Sequence, residues 1–180
     1  MKMSYSFLTL FLTICFSVSA QGDVFQLEIM ELLQCNGTQE EYSKAYDDVF
    51  VLLKKNFETA DVPDPFWTDL KKGKEKSLAE VTQFLTFAYR NHFSRPEIAE
   101  MTVFYQTEAA QKMLKINTGM LTETENTLIA VFQNGNVGKK LAANRQGLTA
   151  DINEIAGHWS RDLFAANMSA LIKAGYSPKQ

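Results

Sequence analysis

The two histidines are the residues of this chain best suited to acid–base or nucleophilic chemistry. His92 stands near the end of a predicted helix, two residues before Ser94, and His158 precedes Trp159. A hydrolase of the common type needs a serine or cysteine nucleophile, a histidine base and an orienting acid, often within a Gly-x-Ser-x-Gly motif. The sequence contains no such motif, so we assign no catalytic residue.

Each histidine also has a structural interpretation, which the sequence favours over catalysis. The imidazole of His92 can bind the last carbonyls of its helix, where the helix dipole favours a positive charge. Glu154 precedes His158 by four residues, so the two side chains can pair on one helical face. The alternative is an enzyme with an unrecognised site near His92, with three candidate partners: Tyr89, Tyr105 and Glu97.

Metal, phosphate and nucleic-acid binding all lack the residues that they require. A structural zinc site takes four Cys or His ligands, and the chain beyond residue 20 offers only Cys35, His92 and His158. No glycine-rich phosphate loop is present. The net charge of -3 lacks the basic excess of a nucleic-acid binder. We therefore predict no metal, no cofactor and no nucleic-acid partner.

Aromatic residues near predicted helix ends are the best candidates for a ligand-binding groove. If the protein binds a ligand between its helices, we expect the groove to lie near Trp67, Tyr89, His92 and Tyr105. Trp67 is also suited to the core of a helical protein, and for this residue the core is the favoured interpretation.

One basic cluster follows Trp67, and its members are Lys71, Lys72, Lys74 and Lys76. Near an anionic membrane each lysine contributes on the order of 1 kcal/mol. Weak contact with a membrane surface is therefore one interpretation of this cluster. A solvated helix edge is the other, and it is favoured.

Self-association has two candidate sites in the sequence. Cys35 is either a small buried residue near a helix end or, in an oxidising compartment, the bridge of an intermolecular disulfide. The last predicted helix has near-heptad spacing of apolar residues from Ile152 to Ala170. That helix either closes the bundle or pairs with a copy of itself in a structural homodimer.

Residues 1–20 have the organisation of a secretory signal peptide. Lys2 precedes the apolar run 7–16, and small residues lead to Ala20. The run is shorter than the roughly 20 residues that a spanning helix needs. We predict cleavage after Ala20, which leaves residues 21–180 as a single helical domain.

The rest of the chain carries helix signals and almost no strand signals. Apolar residues recur at intervals of three and four from Tyr42 to Phe57, and Phe84 belongs to a second such stripe that we expect to face inward. The predicted fold is all-α, a bundle of about six or seven short to medium helices, preceded by a cleaved signal peptide.

Helix boundaries are predicted from caps and turns. Thr38, Ser94 and Thr122 are each followed at the third residue by Glu, which is the spacing of a capping box. The residues 134–136, Asn-Gly-Asn, predict a turn. Because residues 133–150 are polar and contain glycine, we expect the last helix to begin near residue 150.

Several short motifs in the middle of the chain together resemble the bacterial family called domain of unknown function 2059. They are Val62-Pro63, Phe66-Trp67, Tyr89, His92-Phe93, Glu97, Phe104-Tyr105 and Gln111-Lys112. The resemblance covers about residues 28–132 and, more loosely, the last helix. It implies an exported bacterial protein with an all-helical fold, periplasmic in a Gram-negative source. Because the family is uncharacterised, it implies no activity and no functional residues.

The chain departs from this family after its Phe-Tyr pair. Glu108 and Ala110 stand where the family usually has Pro and then Gly. Without these helix-breaking residues we expect the helix through Tyr105 to continue. The favoured function is a non-enzymatic binding or interaction module of the bacterial cell envelope. Its partner would be a protein, an envelope component or an apolar ligand.

Overall fold

Eight helices follow one another along residues 23–115 and 121–179, which are the residues that the computed structural model describes. No strand occurs in these ranges, so the all-helical prediction is confirmed. The predicted signal peptide, residues 1–20, lies outside them. The helices are α1 Val24–Cys35, α2 Thr38–Asn56, α3 Asp64–Lys71, α4 Lys74–His92, α5 Arg95–Tyr105, α6 Glu108–Leu114, α7 Glu123–Asn134 and α8 Asn136–Lys173.

The first core cluster forms where α1 packs against α4 and α5. Ile29, Leu32 and Leu33 recur at intervals of three and four on α1, and all three are fully buried. They meet apolar residues of α4 and α5, such as Val81 and Ile98. Each such side chain contributes about 1.5–3 kcal/mol by leaving water, so these contacts fix α4 against α1.

The second core cluster joins α2, α3 and α8. The predicted stripe of α2 is confirmed, because Tyr46, Phe50 and Leu53 are buried together with Trp67 of α3 and Leu171 of α8. Two partly buried residues, Leu78 and Trp159, pack against both the first and the second cluster. The two clusters therefore hold α4 and α8 side by side.

The last helix is much longer than predicted. It runs without a break for 38 residues, Asn136–Lys173, and not from residue 150. Val137, Leu141, Leu148 and Ile152 place a further apolar stripe on the first cluster, while most residues between them face solvent. Burial of this stripe keeps the polar stretch helical. Because the stripe packs within the chain, it favours closure of the bundle over self-pairing.

Two of the three predicted capping boxes are confirmed. The Ser94 backbone N–H donates to Glu97 Oε2 at 2.7 Å, and the Thr122 backbone N–H donates to Glu125 Oε2 at 2.7 Å. The box at Thr38 is wrong. There Gly37 precedes the helix with a φ of 89°, a left-handed conformation that glycine adopts without strain, and Asn36 Oδ1 accepts the Thr38 N–H.

The helix through Tyr105 does not continue, contrary to the prediction. α5 ends at Tyr105, and Thr107 begins a new helix by accepting the Ala110 N–H on its hydroxyl at 3.2 Å. The same hydroxyl donates to the Phe104 carbonyl at 2.7 Å. A cap of this kind stabilises a helix start by about 1 kcal/mol, so the chain turns here without Pro or Gly.

None of the helices described has the length and apolarity needed to span a membrane.

Candidate functional site

A cleft runs between α4 and α8, which lie antiparallel. Near the start of α4, Ser77 Oγ accepts a hydrogen bond from Trp159 Nε1 at 2.9 Å. At the end of α4, His92 Nε2 lies 3.0 Å from Asp151 Oδ2. Residue numbers therefore rise along α4 as they fall along the adjacent part of α8. Where no third helix packs over such a pair, an elongated groove remains between the two helices.

The cleft is apolar at its base and has a volume of about 620 Å³. This lies within the range of about 300–1,000 Å³ that is typical of ligand pockets. Gly73, Ser77 and Ala166 are small, and they leave space at one end. The larger apolar side chains around the base are those of Phe84, Ile155, Trp159 and Leu163.

Helical periodicity explains how the sequence builds this cleft. Gly73, which caps the start of α4, and Ser77, Glu80 and Phe84 on α4 recur at intervals of three and four, so they share one face. That face adjoins the buried face that carries Val81. Phe84 is 57% exposed, so the prediction that it faces inward is wrong. Because Leu85 faces the core, the preceding residue Phe84 lies about a quarter turn around the helix and faces the solvent-exposed groove.

The rim of the cleft carries more negative than positive charge. Among the residues that line it, three carboxylates, Glu80, Glu154 and Asp162, stand against one ammonium group, that of Lys76. Lys76 Nζ lies 3.8 Å from Glu80 Oε1, which is a long and exposed pair. Such pairs contribute about 0–1 kcal/mol, so Lys76 offsets only part of the negative rim.

His158 also lines the cleft, but its partner is Arg161 and not the predicted Glu154. Arg161 Nη2 lies 3.1 Å from His158 Nδ1. A guanidinium group only donates hydrogen bonds, so Nδ1 accepts and the imidazole carries its proton on Nε2. Another nitrogen of Arg161, Nη1, lies close to Gly157, outside the cleft lining.

His92 joins two helices, and it does not bind the last carbonyls of its own helix as predicted. Its imidazole lies against Asp151 at 3.0 Å and against the backbone of Gly147, where a Cβ would be 3.0 Å from His92 Cε1. Its backbone carbonyl accepts a long hydrogen bond from Asn144 Nδ2 at 3.4 Å. These contacts give His92 a structural role between α4 and α8.

The other predicted groove residues are distributed over two core clusters. Trp67 is buried in the second cluster. Tyr89 is buried in the first, where its hydroxyl accepts a hydrogen bond from Asn36 Nδ2 at 3.1 Å. Tyr105 lies near the same end of α1, since Gln111 Nε2 donates both to its carbonyl and to that of Cys35. The structure therefore brings Tyr89 and Tyr105 near each other but not to Trp67.

Burial limits what chemistry these residues can perform. It raises the pKa of Tyr89 to about 12, which is further from neutral pH than that of an ordinary tyrosine and disfavours the phenolate that a base would need. Burial also raises the pKa of the Cys35 thiol, which lowers the thiolate fraction and with it the reactivity. Along the described residues, no three His, Cys, Asp or Glu side chains cluster as metal ligands would.

The basic cluster is paired with carboxylates. Lys71 and Lys74 both approach Asp47, with Nζ–Oδ distances of 3.5 and 2.8 Å. Lys72 pairs with Asp69 at 2.7 Å, and Lys76 approaches Glu80 as described above. This pairing reduces the positive charge that the cluster presents to solvent. Contact with a membrane surface stays a prediction.

A comparison with known families bears on the α4 side of the cleft. A family model matches residues 80–134. It is described as an uncharacterized protein conserved in bacteria, domain of unknown function 2059. The resemblance is thereby confirmed over this range, which contains Glu80 and Phe84 but no residue from the α8 side of the cleft. The family is bacterial and has no described activity. No curated protein and no solved structure matches the chain.

Proposed function

We propose that the protein is an exported, non-enzymatic binding protein of the bacterial cell envelope, and that the α4–α8 cleft holds an apolar part of its ligand. The observation that carries this proposal is the cleft itself, with a volume of about 620 Å³ and with Phe84, Ile155 and Trp159 around it. Single exposed apolar residues are ordinary on protein surfaces. Apolar residues around a concave space are typical of binding sites.

The candidate catalytic groups near His92, namely Tyr89, Glu97, Tyr105 and His92 itself, do not line the cleft, so they do not favour catalysis at this site. His92 is held by Asp151, and His158 is held by Arg161. Tyr89 is buried and protonated at neutral pH. The proposal of export comes from residues 1–20, whose sequence has the organisation of a secretory leader. The proposed leader and the match to a bacterial family together support the envelope location that we propose.

Phe84 provides the sharpest test, because the chain offers a matched control one turn away. Phe84 is 57% exposed and lines the cleft, whereas Phe87 is 56% exposed on the same helix and does not. Full burial of a Phe side chain contributes about 1.5–3 kcal/mol, so covering its exposed half contributes about 1 kcal/mol. Phe84→Ala should therefore weaken an apolar ligand about fivefold, and Phe87→Ala should leave its affinity unchanged.

The measurement uses N-phenyl-1-naphthylamine, a neutral apolar dye that accepts energy from tryptophan. The chain has two tryptophans, so Trp67→Phe leaves Trp159 in the cleft as the only donor. We expect the dye to quench Trp159 on binding, and the Phe84→Ala titration to be shifted to higher dye concentration. Absence of dye binding, or equal effects of Phe84→Ala and Phe87→Ala, would contradict the proposed function.

A further inference from the structure

Given the proposed function, on which this step rests, we infer that the cleft binds a short amphipathic helix of a protein partner that carries basic side chains beside its apolar face. The shape of the cleft and the charge of its rim lead to this partner independently.

The shape of the cleft matches a helix in length. Its α4 side extends from Gly73 to Phe84, which is about 17 Å at 1.5 Å per residue. Its α8 side extends in the opposite direction from Ala166 to Glu154. A helix of three turns laid along this groove would place side chains at i, i+4 and i+7 over Leu163, Trp159 and Ile155. This is the usual way in which an amphipathic helix binds in a groove.

The charge of the rim selects a basic helix. Glu154 and Asp162 are eight residues apart on α8, about 12 Å along the axis, and Glu80 stands on the α4 side. Basic side chains two turns apart on the partner would reach Glu154 and Asp162 together. Acidic peptides and anionic lipid headgroups would meet a net of two negative charges from the lining residues, so they are disfavoured.

Two peptides of 14 residues with the same leucine pattern test this partner, one with lysine and one with glutamate at all polar positions. Binding to the full mature chain is followed by the fluorescence anisotropy of labelled peptide at low salt. We expect the Leu–Lys peptide to bind at least tenfold more tightly than the Leu–Glu peptide. Equal affinity, or tighter binding of the Leu–Glu peptide, would overturn the inference.

A charge-matched pair of triple variants tests the rim. The first carries Glu80→Gln, Glu154→Gln and Asp162→Asn. The second removes the same charges outside the cleft, at three exposed positions: Glu100→Gln, Glu123→Gln and Asp48→Asn. The first variant should bind the Leu–Lys peptide about tenfold more weakly than the second. Equal peptide affinity of the two variants would overturn the inference.

The naphthylamine dye separates failure of this inference from failure of the proposed function. Because the dye is neutral, the rim variant should bind it as the unchanged protein does. If the dye binds in a way that depends on Phe84 but the Leu–Lys peptide does not bind, the inference of a basic helical partner is refuted and the proposed function stands. If dodecyltrimethylammonium bound as tightly as the Leu–Lys peptide, a helical partner would likewise be refuted, since that small cationic amphiphile fills only part of the cleft.

Discussion

Replacing Gly138 with alanine tests the tight corner between α7 and α8. Only Gly135 connects α7, which ends at Asn134, to α8, which begins at Asn136. An alanine Cβ at position 138 would lie 2.1 Å from the Phe132 carbonyl oxygen and 2.9 Å from that of Gln133. Both are backbone atoms, so no side-chain rotation relieves the contact. The ends of the two helices would have to separate by about 1 Å to reach ordinary contact distances.

The expected loss of stability is about 2 kcal/mol. Overpacking of a core contact costs about 1–3 kcal/mol. Separation of the helices would also loosen the buried Val137 and the stack of Phe132 on Phe104, whose ring centroids are 3.8 Å apart. The helix propensity of alanine offsets at most about 1 kcal/mol. For a chain of this size, a net loss of about 2 kcal/mol lowers Tm by about 4–8 °C.

Gly157→Ala is the matched control, because it makes the same substitution in the same helix without a backbone clash. Its Cβ would lie 3.4 Å from Arg161 Nη1, the end of a flexible side chain. This variant should gain about 0.5–1 kcal/mol. Urea unfolding followed by far-ultraviolet circular dichroism measures both variants. If Gly138→Ala were as stable as Gly157→Ala, the close contact of α7 and α8 would be refuted.

Two further predictions concern the second core cluster and the cap of α5. Leu171→Ala should lower the free energy of unfolding by about 2–5 kcal/mol, because Leu171 is 0% exposed. Ile172→Ala, at the neighbouring residue that is 50% exposed, should lower it far less. Equal urea midpoints of the two variants would contradict this packing. The Lys140 ammonium, with the Ser94 N–H, lowers the pKa of Glu97 from 4.5 to about 2. The ionised Glu97 therefore stabilises the folded protein above about pH 4.5, and this stabilisation is lost as the pH falls toward 2. Glu97→Gln should therefore reduce the acid dependence of the urea midpoint between these pH values, and an unchanged dependence would exclude this cap as its source.

Local signals in the sequence predict a capped helix start only where no neighbouring side chain accepts the same backbone N–H. Ser94 and Thr122 form their capping boxes with Glu97 and Glu125, as the spacing predicts. Thr38 has the same spacing to a glutamate, but Asn36 Oδ1 takes its backbone N–H first. The pattern of Thr38 alone could not reveal this, because the outcome depends on the turn that Gly37 makes.

The sequence does not predict the length of α8, because residues 133–150 are polar and contain glycine, which is typical of a loop. Gly138 instead allows α7 to approach, and Gly147 makes room for the imidazole of His92. The first contact forms across the turn at Gly135, and the second joins residues that are far apart along the chain, so helical spacing reveals neither. The signal that could have extended the helix was the apolar spacing from Val137 through Leu141 and Leu148 to Ile152, which continues the stripe of the later residues.

The cleft could not be located from sequence, because its two sides lie on helices that are far apart along the chain. Three of the five residues on the α4 side, Lys76, Ser77 and Glu80, are polar, and the apolar spacing of the last helix predicts bundle closure or self-pairing but no cleft. One signal was available. Phe84 follows Ser77 and Glu80 at intervals of seven and four residues, so it shares their polar face and not the face of the neighbouring buried residues. That pattern indicates an exposed aromatic side chain and not a core one.

The cleft stays open because several side chains between α4 and α8 are small, and their size determines the shape of the space for an occupant. Helices in a bundle pack at about 8–10 Å when side chains fill the space between them. At the open end of the cleft, Gly73, Ser77 and Ala166 are too small to do so, while Trp159 is held at its base by the hydrogen bond to Ser77. The space is therefore bounded by a fixed aromatic ring and stays open to solvent along its length. An occupant that extends along both helices would cover more of this apolar surface than a compact one, and positively charged groups on its flank would face the exposed carboxylates of both rims.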